Sequence, residues 1–332
     1  MPNTFSIAMC TFNGARHLRE QLDTLAAQTR LPDEVVICDD GSADATSEII
    51  ANFASSAPFS VHFHSNEQNL GSTKNFERAI TLCAGDYIAL CDQDDVWLPG
   101  KLALLAAEFD HAPRVGLIFT DAEVIDDDAH TAGYTLWEKL PLPPAERRRL
   151  QSRKAVDELL AGSTVTGATM AFRARFKDLL LPIPTDLPII HDAWIAVLLA
   201  AVSEVLPLAT PLIRYRQHSE QQVGAKERKR DERGVREAMQ RPTPYHDPIE
   251  IGMRVQQRLL EHRDVYQSDE ALSRLAAKLA HLRMRAKLPE RSLTRFGCVV
   301  RELLTGRYHV YSRGVFSAAK DLLHKSGESP ST

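Results

Sequence analysis

No apolar run in this sequence is long enough to cross a bilayer. The longest, "AWIAVLLAAV" (Ala193–Val202), is about half of the ~20 residues a spanning helix needs. The opening "MPNTFSIAMCTF" has neither a basic n-region nor a long apolar h-region, so no signal peptide is expected there. Cysteine is scarce, and Cys10, Cys38, Cys83, Cys91 and Cys298 show neither paired nor metal-ligand spacing, which argues against a disulfide framework. Three of them stand inside apolar runs, as reduced core cysteines of a cytosolic protein do. Aromatic residues make up only 7% and the basic residues are interleaved rather than massed, so nucleic acid is not an expected partner. No internal repeat is visible.

What is present suits a globular protein: 332 residues, 44% apolar and 25% charged, are enough for one large α/β domain with an appendage. The net charge of -4 hides an asymmetry. Residues 1–222 carry 18 Lys+Arg against 30 Asp+Glu, whereas residues 254–332 carry 15 against 8. An acidic front and a basic tail suggest two different roles.

Along the front, short apolar runs alternate with helical patterns. "FSIAMC", "EVVICDD", "SVHFH", "DYIALCD" and "VGLIFT" have strand length and composition. Between them, Leu18, Leu22, Leu25 and Ala26 recur at helical spacing, and "SADATSEIIANFA", "GSTKNFERAITLCA" and Lys101–Asp110 also read as helices. The alternation implies βαβ units and a mostly parallel sheet, with ligands at the C-terminal strand ends. After Asp121 the pattern weakens. "LPLPPAERRRLQ" (Leu140–Gln151) reads as a surface loop, "GATMAFR" and "PLIRYRQH" as strands, and "IIHDAWIAVLLAAV" as a helix.

Two acidic clusters fall at strand ends, "DDGS" (Asp39–Ser42) and "DQDD" (Asp92–Asp95). Adjacent carboxylates repel unless something positive neutralises them. Hard divalent cations bind carboxylate oxygen and often use only one or two protein carboxylates plus substrate phosphates, so a metal–diphosphate fills the second cluster. A solvated acidic turn is the alternative for it. For "DDGS" the alternatives are turn and helix-cap chemistry, or an acceptor for a base N–H or ribose hydroxyl.

In order, "SIAMCTFNGARHLREQLDTLAAQT", "EVVICDDGSADAT", "NLGSTKNF", "AGDYIALCDQDDVWLPGKL", "GATMAFR", "HDAW" and "YRQH" resemble family 2 glycosyltransferases. Bacterial rhamnosyltransferase-like members that build surface polysaccharides are especially similar. The resemblance covers about Phe5 to Gly224. It implies a GT-A (Rossmann-like) α/β fold with a C-terminal helical appendage, and inverting transfer from a dTDP-, UDP- or GDP-linked sugar to a saccharide or lipid-linked acceptor. It also implies an Mg²⁺ or Mn²⁺ cofactor. Carried over residue by residue, it has Thr11 and Asp40 contacting the base, with Lys74 near the nucleotide. Asp92 lies on the ribose side, Asp94 is the principal metal ligand, and Asp95 supports the turn or adds a contact behind it toward diphosphate or acceptor. "HDAW" matches the position of the catalytic base, Asp192, which otherwise reads as an acid at a helix N-terminus. His218 is a third metal ligand, a diphosphate contact or a surface residue, and Arg214 and Arg216 are candidates for phosphate. Gly167 admits backbone close to donor or acceptor, or makes a tight turn, and Trp194 is a candidate for stacking on a sugar. "DDD" (Asp126–Asp128) reads as a solvated hairpin turn and Trp97 as packing behind the acidic turn. After His218 the sequence "SEQQVG" departs from the asparagine-rich stretch these proteins often show.

The expected organisation is a glycosyltransferase domain over 1–222, with a nucleotide-binding half to about 120 and an acceptor half beyond it. A flexible linker over 223–248, a basic amphipathic helical region over 249–325 and a disordered tail over 326–332 follow. The basic helices have three possible uses: lying on an anionic membrane as a peripheral protein at the inner face of the plasma membrane, self-association, or capping the catalytic domain. Two rival functions are a sugar nucleotidyltransferase and a non-catalytic nucleotide-sugar-binding protein. The first lacks its Gly-rich basic signature near the N-terminus, and intact Asp92, Asp94 and Asp192 argue against the second.

Overall fold

The computed structural model describes residues 3–152, 155–162, 165–218, 246–289 and 291–323. It divides into two compact units, Met1–Glu227 and Arg228–Thr332. Most of the linker expected over 223–248, and the whole tail expected over 326–332, lie outside the described residues.

In the first unit the strands are β1 (Phe5–Thr11), β2 (Glu34–Asp39), β3 (Ser60–Ser65), β4 (Tyr87–Cys91), β5 (Val96–Trp97), β6 (Val115–Ile125), β7 (Thr131–Thr135), β8 (Met170–Arg173) and β9 (Glu204–Arg216). The helices are α1 (Leu18–Ala26), α2 (Thr46–Ala54), α3 (Ser72–Leu82), α4 (Lys101–His111), α5 (Leu136–Lys139), α6 (Pro144–Leu150), α7 (Ala155–Ala161), α8 (Lys177–Leu180) and α9 (His191–Val202). Among the described residues one nine-stranded sheet runs β3-β2-β1-β4-β8-β6-β9-β5, with β7 paired to β6. Strands β3, β2, β1 and β4 are parallel, as the alternating pattern implies. Beyond them the sheet is mixed, because β8 enters antiparallel to both β4 and β6, while β6 and β9 are parallel.

Phe5, Ile7, Ala8 and Met9 of β1 and Ile88, Ala89, Leu90 and Cys91 of β4 are buried to within 1% or better. Strands covered on both faces need such continuous apolar runs. Leu18, Leu22 and Leu25 of α1 are equally buried, and truncating one such leucine to alanine costs about 2–5 kcal/mol. Residues 140–151, expected as a loop, instead contain α6. Pro144 starts that helix, where a missing N–H costs nothing, and Leu150 anchors it by burial.

Three features of the sheet position the site. Strand β8 runs against β4, so the residues just before it, Gly167–Thr169, arrive beside the C-terminal end of β4. Two-residue β5 pairs with β9 (Val96↔Arg214, Trp97↔Ile213), which ties the acidic turn between β4 and β5 to the end of β9. The β6–β7 hairpin turns at Asp126–Asp128, as expected, but it is not merely solvated: Asp127 pairs with Arg16 at 2.6 Å and His17 at 2.9 Å.

The second unit contains α10 (His246–Glu261), α11 (Asp269–Ala286), α12 (Ser292–Leu304), α13 (Arg307–Tyr311) and α14 (Val315–Leu323). Leu288, Val299, Tyr308 and Ala318 form an apolar cluster with Met284, Cys298 and Leu303. Beside it lies a network of paired buried charges. Arg285 grips Asp321 through two bonds of 2.6 and 3.0 Å, Tyr308 donates to Asp321 at 2.6 Å, and His281 meets Glu302 at 2.9 Å. Among the described residues no helix is long and apolar enough to cross a membrane.

Candidate active site

The C-terminal ends of β1 and β2 are locked together by short polar side chains. Thr11 Oγ1 donates to Asp39 Oδ1 at 2.7 Å, and Ser42 N donates to Asp39 Oδ2 at 2.8 Å, closing the "DDGS" turn. Asn13, at a left-handed φ of 47°, accepts from Ala43 N at 2.9 Å. Asp40 is buried and accepts from Asn66 Nδ2, Leu70 N and Gly71 N at 2.7–2.9 Å, so it orders the loop leading into α3. Gly71 Cα carries a φ of 79°, which glycine tolerates at no steric cost. Lys74, in the first turn of α3, is a third exposed and pairs with Glu77 at 2.8 Å.

The acidic turn is crowded. Gln93, between two aspartates, brackets Phe12 by accepting from its N–H at 2.8 Å and donating to its carbonyl at 3.0 Å. A Cβ on Gly14 would stand 2.2 Å from Gln93 Oε1, so any larger residue there would push Gln93 off Phe12. Asp94 Oδ2 lies 2.8 Å from His218 Nε2, with both side chains largely buried. Asp95 is buried; its Oδ1 accepts from Arg216 N at 3.0 Å, while its Oδ2 is buried without a partner. Burial, and then the charges of Asp94 and Asp192, push the Asp92 carboxyl well above the usual carboxylate range. Burial followed by Asp94 and Asp92 does the same to Asp95. Lys101 is the internal countercharge. It is fully buried, donates to Ala168 O at 2.8 Å, sits 3.5 Å over the Trp97 ring, and is pushed down to about 7 by burial.

Asp192 stands in the first turn of α9, 8% exposed. Its Oδ2 accepts from Gly167 N at 3.1 Å and its Oδ1 from Ala193 N at 2.5 Å. Burial raises it to about 6, against the lowering effect of those backbone donors. Gly167 packs closely here: a Cβ there would lie 3.1 Å from His191 Nε2, tight enough to press on that ring, and in ordinary contact with Asp192 Cβ at 3.6 Å. Tyr215, on β9, is buried and pushed far up, first by desolvation and then by the charges of Asp95, Asp92, Asp94 and Asp192. One tyrosine thus lies within electrostatic reach of all four carboxylates.

Residues 6–179, more than half of the chain, match the sequence family described as Glycosyl transferase family 2. The chain belongs to that family. An uncharacterized protein of Mycobacterium tuberculosis is 32% identical over 219 residues, 64% of this chain and 59% of that relative's length. The abequosyltransferase of Salmonella typhimurium is 30% identical over 107 residues, 32% of each chain. The fold is that of the GT-A glycosyltransferases. TarS 1–349 of S. aureus, in complex with UDP-GlcNAc, superposes with a TM-score of 0.59 at 17% identity, over 96% of this chain and 88% of that one.

Set against this family fold, the residues singled out by sequence separate into two groups. Asp92, Asp94, Asp95, Asp192, Gly167 and His218 come together, while Thr11, Asp40 and Lys74 lie along the β1–β2–α3 edge. Two expectations are corrected. Trp194 is fully buried and its Nε1 donates to Leu180 O at 2.9 Å, because α9 is covered nearly all round, so this ring is core and not a sugar platform. Arg216 is 1% exposed, and its guanidinium donates to Glu20, Asp94 O, Asp126 O and Asp127 O. It is a tie between turns and is not available to a diphosphate. Arg214 remains at the surface, paired with Glu123 at 3.0 Å.

Gln93, Lys101 and Tyr215 were missed. Gln93 reads as a spacer, and a buried tyrosine leaves no mark in a strand pattern. Lys101 did carry a signal: a cation in the first turn of a helix opposes the macrodipole and asks for a reason.

A divalent cation fits the residues present. Asp92 and Asp94 supply hard oxygen, His218 supplies nitrogen, and the mutual repulsion that raises Asp92 is what a positive ion relieves. Among the described residues no three His, Cys, Asp or Glu side chains are already gathered as a ligand set. An ion held here therefore needs oxygen from the substrate as well.

Proposed function

We propose that this protein is an inverting, divalent-metal-dependent glycosyltransferase. It moves a sugar from a nucleotide-diphosphate donor to a saccharide or lipid-linked saccharide acceptor in surface polysaccharide synthesis. One observation carries the reading: β8 runs beside β4 and brings Gly167 to Asp192 at 3.1 Å, so that Asp92, raised by burial, also feels the charges of Asp94 and Asp192. A purely structural acidic turn gains nothing from a third carboxylate delivered from 100 residues away.

Thr11, the Asp39–Asp40 turn and the loop before Lys74 form the nucleoside edge. Asp94 and Asp92, with His218 beside them, would hold a divalent cation together with oxygen from the substrate. When bound, Mg²⁺ or Mn²⁺ neutralises charge on the departing diphosphate. Asp192 takes the proton of the acceptor hydroxyl while that oxygen bonds to the anomeric carbon. The bond from this carbon to the diphosphate breaks, its electron pair leaves on the nucleoside diphosphate, and the configuration inverts. Gly167 N–H and Ala193 N–H hold the Asp192 carboxylate in place, and burial keeps it basic enough to act near neutral pH. The similarity to an abequosyltransferase and the fold shared with a UDP-GlcNAc-bound enzyme support a sugar-nucleotide donor, with rhamnose as one candidate sugar.

The test is thermal stability against dTDP, UDP, GDP and CMP, each with and without Mn²⁺. A nucleotide at 100-fold over its Kd adds about 2.7 kcal/mol. A shift for one nucleotide that needs Mn²⁺ and vanishes in Asp94→Ala is the expected result. A shift that survives Asp94→Ala and ignores Mn²⁺ removes the metal from the reading.

A further inference from the structure

Outside their apolar cluster, the last three helices of the second unit invert the usual polarity. In α12, Arg295, Val299 and Glu302 are buried, while Leu293, Phe296 and Leu304 are 89%, 56% and 83% exposed. Leu293 and Leu304 are 11 residues apart, about three helical turns, so they lie on one side. The next helices repeat the inversion. Tyr308 and Asp321 face inward, whereas Val310, Val315 and Leu323 are 55–70% exposed. A helix facing water shows the opposite polarity, and monomeric soluble proteins rarely display large apolar surfaces together.

Charge identifies what covers this face. Residues 291–323 contain two carboxylates, Glu302 and Asp321, and both are 5% exposed or less. Glu302 is engaged by His281 and Arg307, and Asp321 by Arg285 and Tyr308. Arg291, Arg301 and Arg313 are exposed. The segment therefore presents leucine, valine, phenylalanine and arginine to its surroundings with no exposed anion. A protein partner matching it needs an acidic rim around an apolar centre; an anionic bilayer supplies both chemistries at once.

We propose that α12–α14 bind the surface of a bilayer containing anionic lipid, with the exposed leucines and valines in the acyl boundary and the arginines among the headgroups. This does not depend on the glycosyltransferase reading, because no active-site residue takes part.

The full chain is sedimented with vesicles of phosphatidylcholine, and with vesicles in which about a third of that lipid is replaced by phosphatidylglycerol. Binding to the anionic vesicles, weakened by salt, is expected. Leu293→Glu with Leu304→Glu changes two solvent-facing positions, so the thermal transition should be retained while vesicle binding is lost. Arg301→Glu with Arg313→Glu should lower the partition coefficient by about 25-fold or more, since each basic residue near an anionic surface is worth about a factor of five. Equal binding to both vesicle types, no binding to either, or undiminished binding of the leucine variant overturns the proposal. A dimer in light scattering that the leucine pair dissociates, without any vesicle binding, assigns the face to a second copy of this chain and equally overturns it.

Discussion

Both units bury charge, but they do so in opposite ways. In the helical unit each buried anion has a partner: Asp321 has Arg285 and Tyr308, and Glu302 has His281 and Arg307. At the sheet edge of the first unit, Asp92, Asp94, Asp95 and Asp192 crowd one pocket. There Asp95 Oδ2 has no partner, and the nearby cation Lys101 is itself partly discharged by burial. Paired buried charge holds a structure together, and breaking such a pair is costly. Unneutralised buried charge destabilises a fold and persists where a ligand neutralises it.

Removing charge should therefore have opposite consequences in the two places. The largest effect is expected on turnover. Asp192→Asn keeps the shape and loses the base, and kcat should fall about 10²–10⁴-fold with the fold intact; near-normal turnover would displace Asp192 from that role. Next, Asp321→Ala takes the carboxylate away from buried Arg285, which should cost about 3–5 kcal/mol in denaturant unfolding. Asp92→Asn should do the reverse. Relieving repulsion should raise the melting temperature by about 2–4 °C for each kcal/mol gained, while abolishing Mn²⁺-dependent nucleotide binding. A fall in melting temperature would mean that Asp92 is already neutralised in the free protein.

Acidity probes the same contrast more gently. Asp192 must be ionised to accept a proton, and its carboxyl is raised to about 6. The rate should be full near pH 7–8, half at about pH 6 and lost below, because protonation removes the base. An acid limb near the ordinary carboxylate value of about 4 would contradict the burial seen here. The smallest effect concerns the exposed pair Arg214–Glu123. Arg214→Ala should change stability by about 0.5 kcal/mol or less. A raised donor KM in that variant would bring Arg214 into the site, and an unchanged one would leave it as surface.

Much of the first unit was legible in the sequence because its signals are local. Apolar runs of strand length, helical spacing of Leu18, Leu22 and Leu25, and acidic clusters at strand ends follow from the periods of strand and helix. Where the sequence misled, the deciding interaction was distant. The polarity of Arg216 was plain, but its use was set by Glu20, 196 residues away, and by the hairpin carbonyls. Trp194 read as aromatic and adjacent to the base, and became core because α9 is enclosed. Leu150 turned an expected loop into a helix by finding a place to be buried.

The sequence by itself determined the alternating strands and helices of the first 120 residues, which strand ends carry carboxylates, and that the tail is basic and helical. All of these depend on composition and spacing within a few residues. Tertiary structure alone decided that β8 runs antiparallel to β4 and brings Gly167 to Asp192, and that two-residue β5 ties the acidic turn to Arg216 and His218. It also decided that α12 turns Arg295 and Glu302 inward and Leu293 and Leu304 out. Those outcomes depend on which surfaces meet across the fold. Burial and charge neutralisation are properties of such meetings, so no window of sequence contains them.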